Sequence, residues 1–156
     1  MTEEVALIVG GGPGISASCA RLFASEGMKV AVAARNIDKE VLKSLAKDHG
    51  ITLIACDASD PESVAALYDT VIDLLGAPTL VVHNIDGRPK DVFRKSITDV
   101  KPGPFLDTLK NSTYSAFLVG QRAAREMLAQ DGRDDHKGTI LFTNASAAMK
   151  GYPLSG

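Results

Sequence analysis

Five apolar residues, Val5 to Val9, run straight into Gly10, Gly11, Gly12, Pro13 and Gly14, and Ile15 and Ser16 follow. A glycine-rich turn between a buried strand and a helix lets backbone N–H groups reach a phosphate that side chains would hold away. The same turn would also serve as a plain tight bend, so its surroundings decide between the two. A Walker-type loop needs Gly-Lys-Ser/Thr at its end, and here Gly14 is followed by Ile15 and Ser16. A site that grips ribose hydroxyls, as in S-adenosylmethionine or NAD-selective enzymes, asks for a carboxylate at the end of the second strand. That strand ends Ala33-Ala34-Arg35-Asn36. A neutral residue followed by arginine suits a 2′-phosphate, which a guanidinium pairs bidentately. The expectation is a dinucleotide site that prefers NADP(H) over NAD(H), with Gly10, Gly12, Gly14, Ile15 and Arg35 as cofactor-binding candidates. The plainer alternative for Arg35 is a solvated loop charge.

Such a site needs strands and helices in a fixed order. Short apolar runs lie at Val5 to Val9, Lys29 to Ala34, Ile51 to Ala55, Leu80 to His83 and Thr139 to Phe142. None alternates strictly, as expected for strands covered on both faces. Helical spacing fills the gaps. Residues 14–26 place Ile15, Cys19, Leu22 and Phe23 on one stripe, and residues 38–48 carry Val41, Leu42 and Leu45 before His49-Gly50. Asp60 as N-cap, Pro61 at the first helical position and Glu62 beside it open the clearest helix. Its apolar positions, Val64, Leu67, Tyr68, Val71 and Leu75, end before Gly76. A fourth helix over about Thr113 to Gln130 aligns Tyr114, Phe117, Leu118, Gln121 and Leu128, with Arg122, Arg125 and Glu126 opposite. Residues 84–112 are a long connection with helical spacing at Phe93, Ile97 and Val100, so a short helix is expected there. The polar stretch Asp131 to Lys137 reads as a surface turn. The order βαβαβαβαβ defines an α/β fold, a doubly wound parallel sheet of five strands with helices on both faces.

Composition agrees. The 156 residues are 45% hydrophobic and 23% charged, enough for one domain with a core. A net charge of -2 argues against nucleic acid as a partner, and no apolar run is long enough for a membrane span. Cys19 and Cys56 form no CxxC pair and sit among apolar residues, which predicts two buried, reduced thiols in a cytoplasmic protein. The start, Met1-Thr2-Glu3-Glu4, is acidic and unlike a secretory signal.

Over residues 5–152 the sequence resembles the short-chain dehydrogenase/reductase family, whose sheet is of the Rossmann type. The family's first turn, Thr-Gly-x-x-x-Gly-x-Gly, is matched by Val9 to Ser16, with Gly10 and Gly14 on its first two glycines. Ser16 stands on the third, either against the strand or as a phosphate ligand. "CDASD", residues 56–60, resembles the segment after strand three and implies Asp57 near the adenine. "VVHNIDG", residues 81–87, resembles the family's Asn-Asn-Ala-Gly with Asn84 matched. Ile85 and Asp86 replace Ala-Gly, leaving Gly87 to compensate, and His83 reads as a strand-end residue.

In the helix from Lys110 to Leu128 the family's proton-relay asparagine aligns on Ser112, with Asn111 one residue away. "GTILFTNASAAMKG", residues 138–151, implies Ser146 as the catalytic serine that hydrogen-bonds the substrate. The family's Tyr-x-x-x-Lys is not found: the fourth residue after Tyr152 is Gly156, and Lys110 precedes Tyr114 in the reverse order. The resemblance implies hydride transfer to or from a small alcohol or carbonyl substrate, and homo-oligomers in the full-length enzyme. It also implies a chain cut short of its catalytic helix, with strand five left as a bare edge. The alternative is a non-catalytic dinucleotide-binding module or an interaction domain.

Overall fold

The computed structural model describes residues 4–130 and 137–150. Most of the expected surface turn (131–136), and Tyr152 and Gly156, lie outside the described residues. Strands β1 (Val5–Val9), β2 (Lys29–Ala34), β3 (Thr52–Ala55), β4 (Leu80–His83) and β5 (Thr139–Phe142) form one parallel sheet. Their order is β3-β2-β1-β4-β5, with Ile8 opposite both Val32 and Val82, and Val82 opposite Leu141. This is the doubly wound sheet read from the sequence, with β5 at one edge.

Strand side chains alternate between faces, so β1 feeds two cores. Val5, Leu7 and Val9 pack with Leu67, Tyr68 and Val71 of α3 (Pro61–Leu75) and with Val119 and Ala123 of α5 (Ser115–Ala129). Ala6 and Ile8 pack with Ala17 and Ala20 of α1 (Ile15–Ser25) and with Leu42 and Leu45 of α2 (Glu40–His49). Removing a leucine such as Leu42 from water contributes about 1.5–3 kcal/mol.

Local signals explain the best-defined helices. Asp60 caps α3 by accepting from the Ser63 amide at 3.2 Å, and Pro61 gives up an N–H that has no partner in a first turn. Gly50 ends α2 in the left-handed region at φ 66°.

Two predicted stripes are corrected. On α1 the buried residues are Ser16, Ala17 and Ala20, whereas Ile15 and Leu22 are exposed. Cys19 and Phe23 of the predicted stripe pack half-buried against the core, while the small residues bring the helix close to the sheet. On α5 the buried row is Ser115, Val119, Ala123 and Met127, with Tyr114, Phe117 and Leu128 exposed. Arg122 donates to Asp69 of α3 at 2.6 Å and, within α5, to Glu126 at 2.5 Å. Cys19 is only half-buried, although Cys56 is buried as expected.

The expected short helix exists but lies later than its spacing suggested. α4 (Pro102–Leu109) starts on the prolines, whose missing N–H groups suit a first turn. Phe93 and Ile97 instead sit exposed in a series of turns anchored by buried Val92. From α4 the chain passes through a wide π-helical turn, Lys110–Tyr114, directly into α5.

Candidate functional site

In an open α/β sheet, ligands bind beyond the carboxyl ends of the strands where the strand order reverses. Here the reversal lies between β1 and β4. A cavity of about 660 Å³ opens there.

Its floor is the glycine turn. Gly10 has φ 108°, and a Cβ on it would lie 2.1 Å from the Asn84 carbonyl oxygen, so no other residue fits. Gly12 and Gly14 line the cavity, and a Cβ on either would meet nothing within 4 Å. Ile15 begins α1 beside them, and no side chain caps that helix. Uncapped N–H groups at a helix start, bordered by glycines facing open space, are suited to an anion. Ser16 does not face that space. It is buried, its hydroxyl donates to the Gly10 carbonyl, and it accepts from Asn84 Nδ2 at 2.7 Å.

Arg35 lies exposed on the cavity wall at the end of β2, with Asn36 beside it. Lys39 lines the same wall and donates from Nζ to the Gly11 carbonyl at 2.9 Å. Sequence reasoning missed Lys39, although a lysine four residues after Arg35, just ahead of a helix, was a legible signal. The acids on either side of it turn away, since Asp38 and Glu40 lie 3.8 and 3.9 Å from Lys43. Asp57 lines the cavity from the end of β3. Its carboxylate accepts from the Ser59 amide at 3.0 Å and the Ser59 hydroxyl at 2.8 Å. Those bonds hold its pKa below the usual carboxylate value, and the charges of Arg35 and Lys110 add to the effect.

Asn84 and Asn111 complete the lining that the sequence proposed. Asn84 follows β4, and its Oδ1 accepts from Thr143 Oγ1 at 2.8 Å. After it, Ile85 and Asp86 replace small residues, and Asp86 is held by Arg88 through two bonds of 2.9 Å. Gly87 supplies a close backbone approach, but to α5's wide turn: a Cβ there would lie 2.7 Å from the Asn111 carbonyl carbon. In that turn the two candidates, Asn111 and Ser112, have different surroundings. Asn111 faces the cavity, whereas the Ser112 hydroxyl bonds the Thr108 carbonyl at 2.5 Å.

Beneath the turn, buried Ser115 donates toward the Asn111 carbonyl at 2.7 Å, with the Ser112 carbonyl at 2.9 Å. It also lies 2.8 Å from Nε2 of buried His83. Burial lowers the His83 pKa below its ordinary value. His83 is thus a strand-end residue bonded inward.

Ser146 opens a short 3-10 turn after β5, is exposed, and does not line the cavity. Among the described residues no His, Cys, Asp or Glu group is arranged to hold a metal, and no helix is long and apolar enough to cross a membrane.

The sheet order, the glycine turn at its switch point and the cavity above it define a doubly wound α/β protein with an open site at the switch point. A family model described as enoyl-(acyl carrier protein) reductase matches residues 10–155, and the chain belongs to the short-chain dehydrogenase/reductase family. It is 31% identical over 154 residues to a protein named borneol dehydrogenase, mitochondrial, of Lavandula x intermedia, covering 96% of this chain and 55% of that one. A (+)-borneol dehydrogenase 1 of Salvia officinalis is 32% identical over 158 residues, with 98% and 56% covered. Among solved structures, an F189W actinorhodin polyketide ketoreductase with NADPH superposes at a TM-score of 0.80 with 25% identity, over 96% of this chain and 56% of that one. An NAD+-bound xylitol dehydrogenase shares the fold at a TM-score of 0.84 and 24% identity, over 97% and 56% of the two chains. The chain thus spans about half the length of the curated relatives it matches.

Proposed function

We propose that these residues form the dinucleotide-binding part of an NADP(H)-dependent oxidoreductase acting on a small alcohol or carbonyl compound. One observation carries the proposal. Two glycines open onto space at the start of α1, and across the same cavity the end of β2 offers Arg35 and no carboxylate. In this assignment the N–H groups around Gly12, Gly14 and Ile15 hold the pyrophosphate, with Gly10 giving the turn its shape. Arg35, with Lys39 nearby, pairs the 2′-phosphate, and Asp57 borders the adenine. Asn84 holds the strand end against the turn.

When bound, the nicotinamide ring accepts or supplies a hydride. This chain's contribution beside it is Ser146, as a hydrogen-bond donor to the substrate oxygen, and Asn111, on the proton path. Both assignments derive from the family resemblance, and for Asn111 its place on the cavity adds support. Two borneol dehydrogenases among the relatives and a ketoreductase crystallised with NADPH support carbonyl or alcohol chemistry. Two free cysteines fit a reducing, cytoplasmic setting. Exposed Leu106, Phe117 and Leu128 on α4 and α5 support a homo-oligomer.

Fluorescence titration with NADPH and NADH tests the proposal. A bidentate arginine–phosphate contact is worth about 1.5–3 kcal/mol, so NADPH is expected to bind roughly ten- to hundredfold more tightly. Arg35→Glu should remove that preference. Equal affinities would contradict the NADP(H) assignment, and no binding of either would contradict the site.

A further inference from the structure

We infer that Thr143, just beyond β5 and outside the cavity lining, is a positioning residue for the glycine turn, acting through Asn84 and Ser16. Three hydrogen bonds connect them. Thr143 Oγ1 donates to Asn84 Oδ1 at 2.8 Å, Asn84 Nδ2 donates to Ser16 Oγ at 2.7 Å, and Ser16 donates to the Gly10 carbonyl.

The direction of each proton follows from the far end. The Gly10 carbonyl can only accept, so it takes the single hydroxyl proton of Ser16. Ser16 must then accept from Asn84, which turns the amide nitrogen toward Ser16 and the amide oxygen toward Thr143. Thr143 is left as the donor. A second acceptor, the His83 carbonyl, lies 3.3 Å from the same hydroxyl and already takes the Thr143 amide at 3.1 Å. The shorter bond to Asn84 therefore holds the hydroxyl proton.

This relay joins the carboxyl ends of β5, β4 and β1 through the first turn of α1. Its last acceptor is Gly10, whose left-handed φ of 108° sets the course of the loop. Moving that carbonyl would redirect the N–H groups of Gly12 and Gly14. The relay exists because residue 16 is a serine, since the glycine of the family's motif has no hydroxyl to offer. Thr143 thereby couples the strand that leads to Ser146 to the turn proposed to hold the pyrophosphate.

The inference rests on the dinucleotide site proposed above, and a double-mutant cycle on the NADPH dissociation constant separates the two. Thr143→Val and Ser16→Ala are each expected to weaken NADPH by about three- to tenfold, the size of one net hydrogen bond. The double variant should be no weaker than the worse single, because both cut one relay. Thr143→Ser, which keeps the hydroxyl, should bind within about twofold of wild type. Wild-type affinity in Thr143→Val, effects that multiply, or no rescue by serine would overturn the relay while leaving the site intact. Absence of NADPH binding by the wild type would overturn the site and the relay together. If Thr143→Val fails to fold, Thr143→Ala carries the same cycle.

Discussion

Gly10 and Gly14 are glycine for opposite reasons. Around Gly10 there is no room, since a Cβ would sit 2.1 Å from the Asn84 carbonyl oxygen at a φ of 108°. Around Gly14 there is nothing within 4 Å. Gly10→Ala should therefore destabilise the fold by about 2–4 kcal/mol, combining backbone strain with a backbone clash. The expected signature is a lower urea midpoint at unchanged slope; an unshifted midpoint would contradict the geometry. Both glycines were legible as a pattern, but the reason for each was not. A clash with the chain 74 residues away, at Asn84, is a fact of packing. For the same cause the sequence left Ser16 undecided, because its partners, Gly10 and Asn84, meet only in the folded sheet.

Among the elements, the wide turn from Lys110 to Tyr114 is held from below by Ser115 and His83. Ser115→Ala would leave His83 Nε2 and the Asn111 carbonyl without this partner, a loss of about 1–3 kcal/mol by urea unfolding. His83 also makes stability depend on pH. Burial lowers its folded pKa below 6.5, so the unfolded chain takes up the proton more readily. The contribution is complete above about pH 6.5 and is lost as pH falls toward the folded value. Unfolding midpoints between pH 7.5 and 5 should show this slope, and His83→Gln should flatten it. α3 was readable to the residue because cap, proline and apolar period agree. The stripes of α1 and α5 are only partly right: Cys19, Phe23 and Leu118 pack against the cores, whereas Ile15, Leu22, Phe117 and Leu128 face outward. On α1 the fully buried contacts are small, Ser16, Ala17 and Ala20, whereas α5 buries Val119 and Met127 beside Ser115 and Ala123. The π turn left no composition signal, so only the structure places Asn111 on the cavity.

For the whole molecule, alternation and handed crossovers made the doubly wound sheet foreseeable, whereas the order β3-β2-β1-β4-β5 and its switch point come from the structure. Less foreseeable was how much of the α4–α5 surface stays apolar, with Leu106 at 62% and Phe117 at 56% exposed. We expect sedimentation to show self-association that Phe117→Asp reverses; a wild-type monomer at high concentration would count against it. The candidate site was legible wherever its residues follow strand ends, as Arg35, Asp57 and Asn84 do. Ser146 follows a strand end too, yet stands apart from the cavity.

NADPH titration of wild type beside Gly14→Val asks whether the open glycines receive a dinucleotide pyrophosphate. A Cβ there would meet no protein atom within 4 Å, and a melting temperature near wild type checks that the variant keeps its fold. Its side chain would occupy the space assigned to the phosphates. NADPH should bind wild type and fail to bind Gly14→Val; equal affinity of the two proteins would mean that the phosphates lie elsewhere.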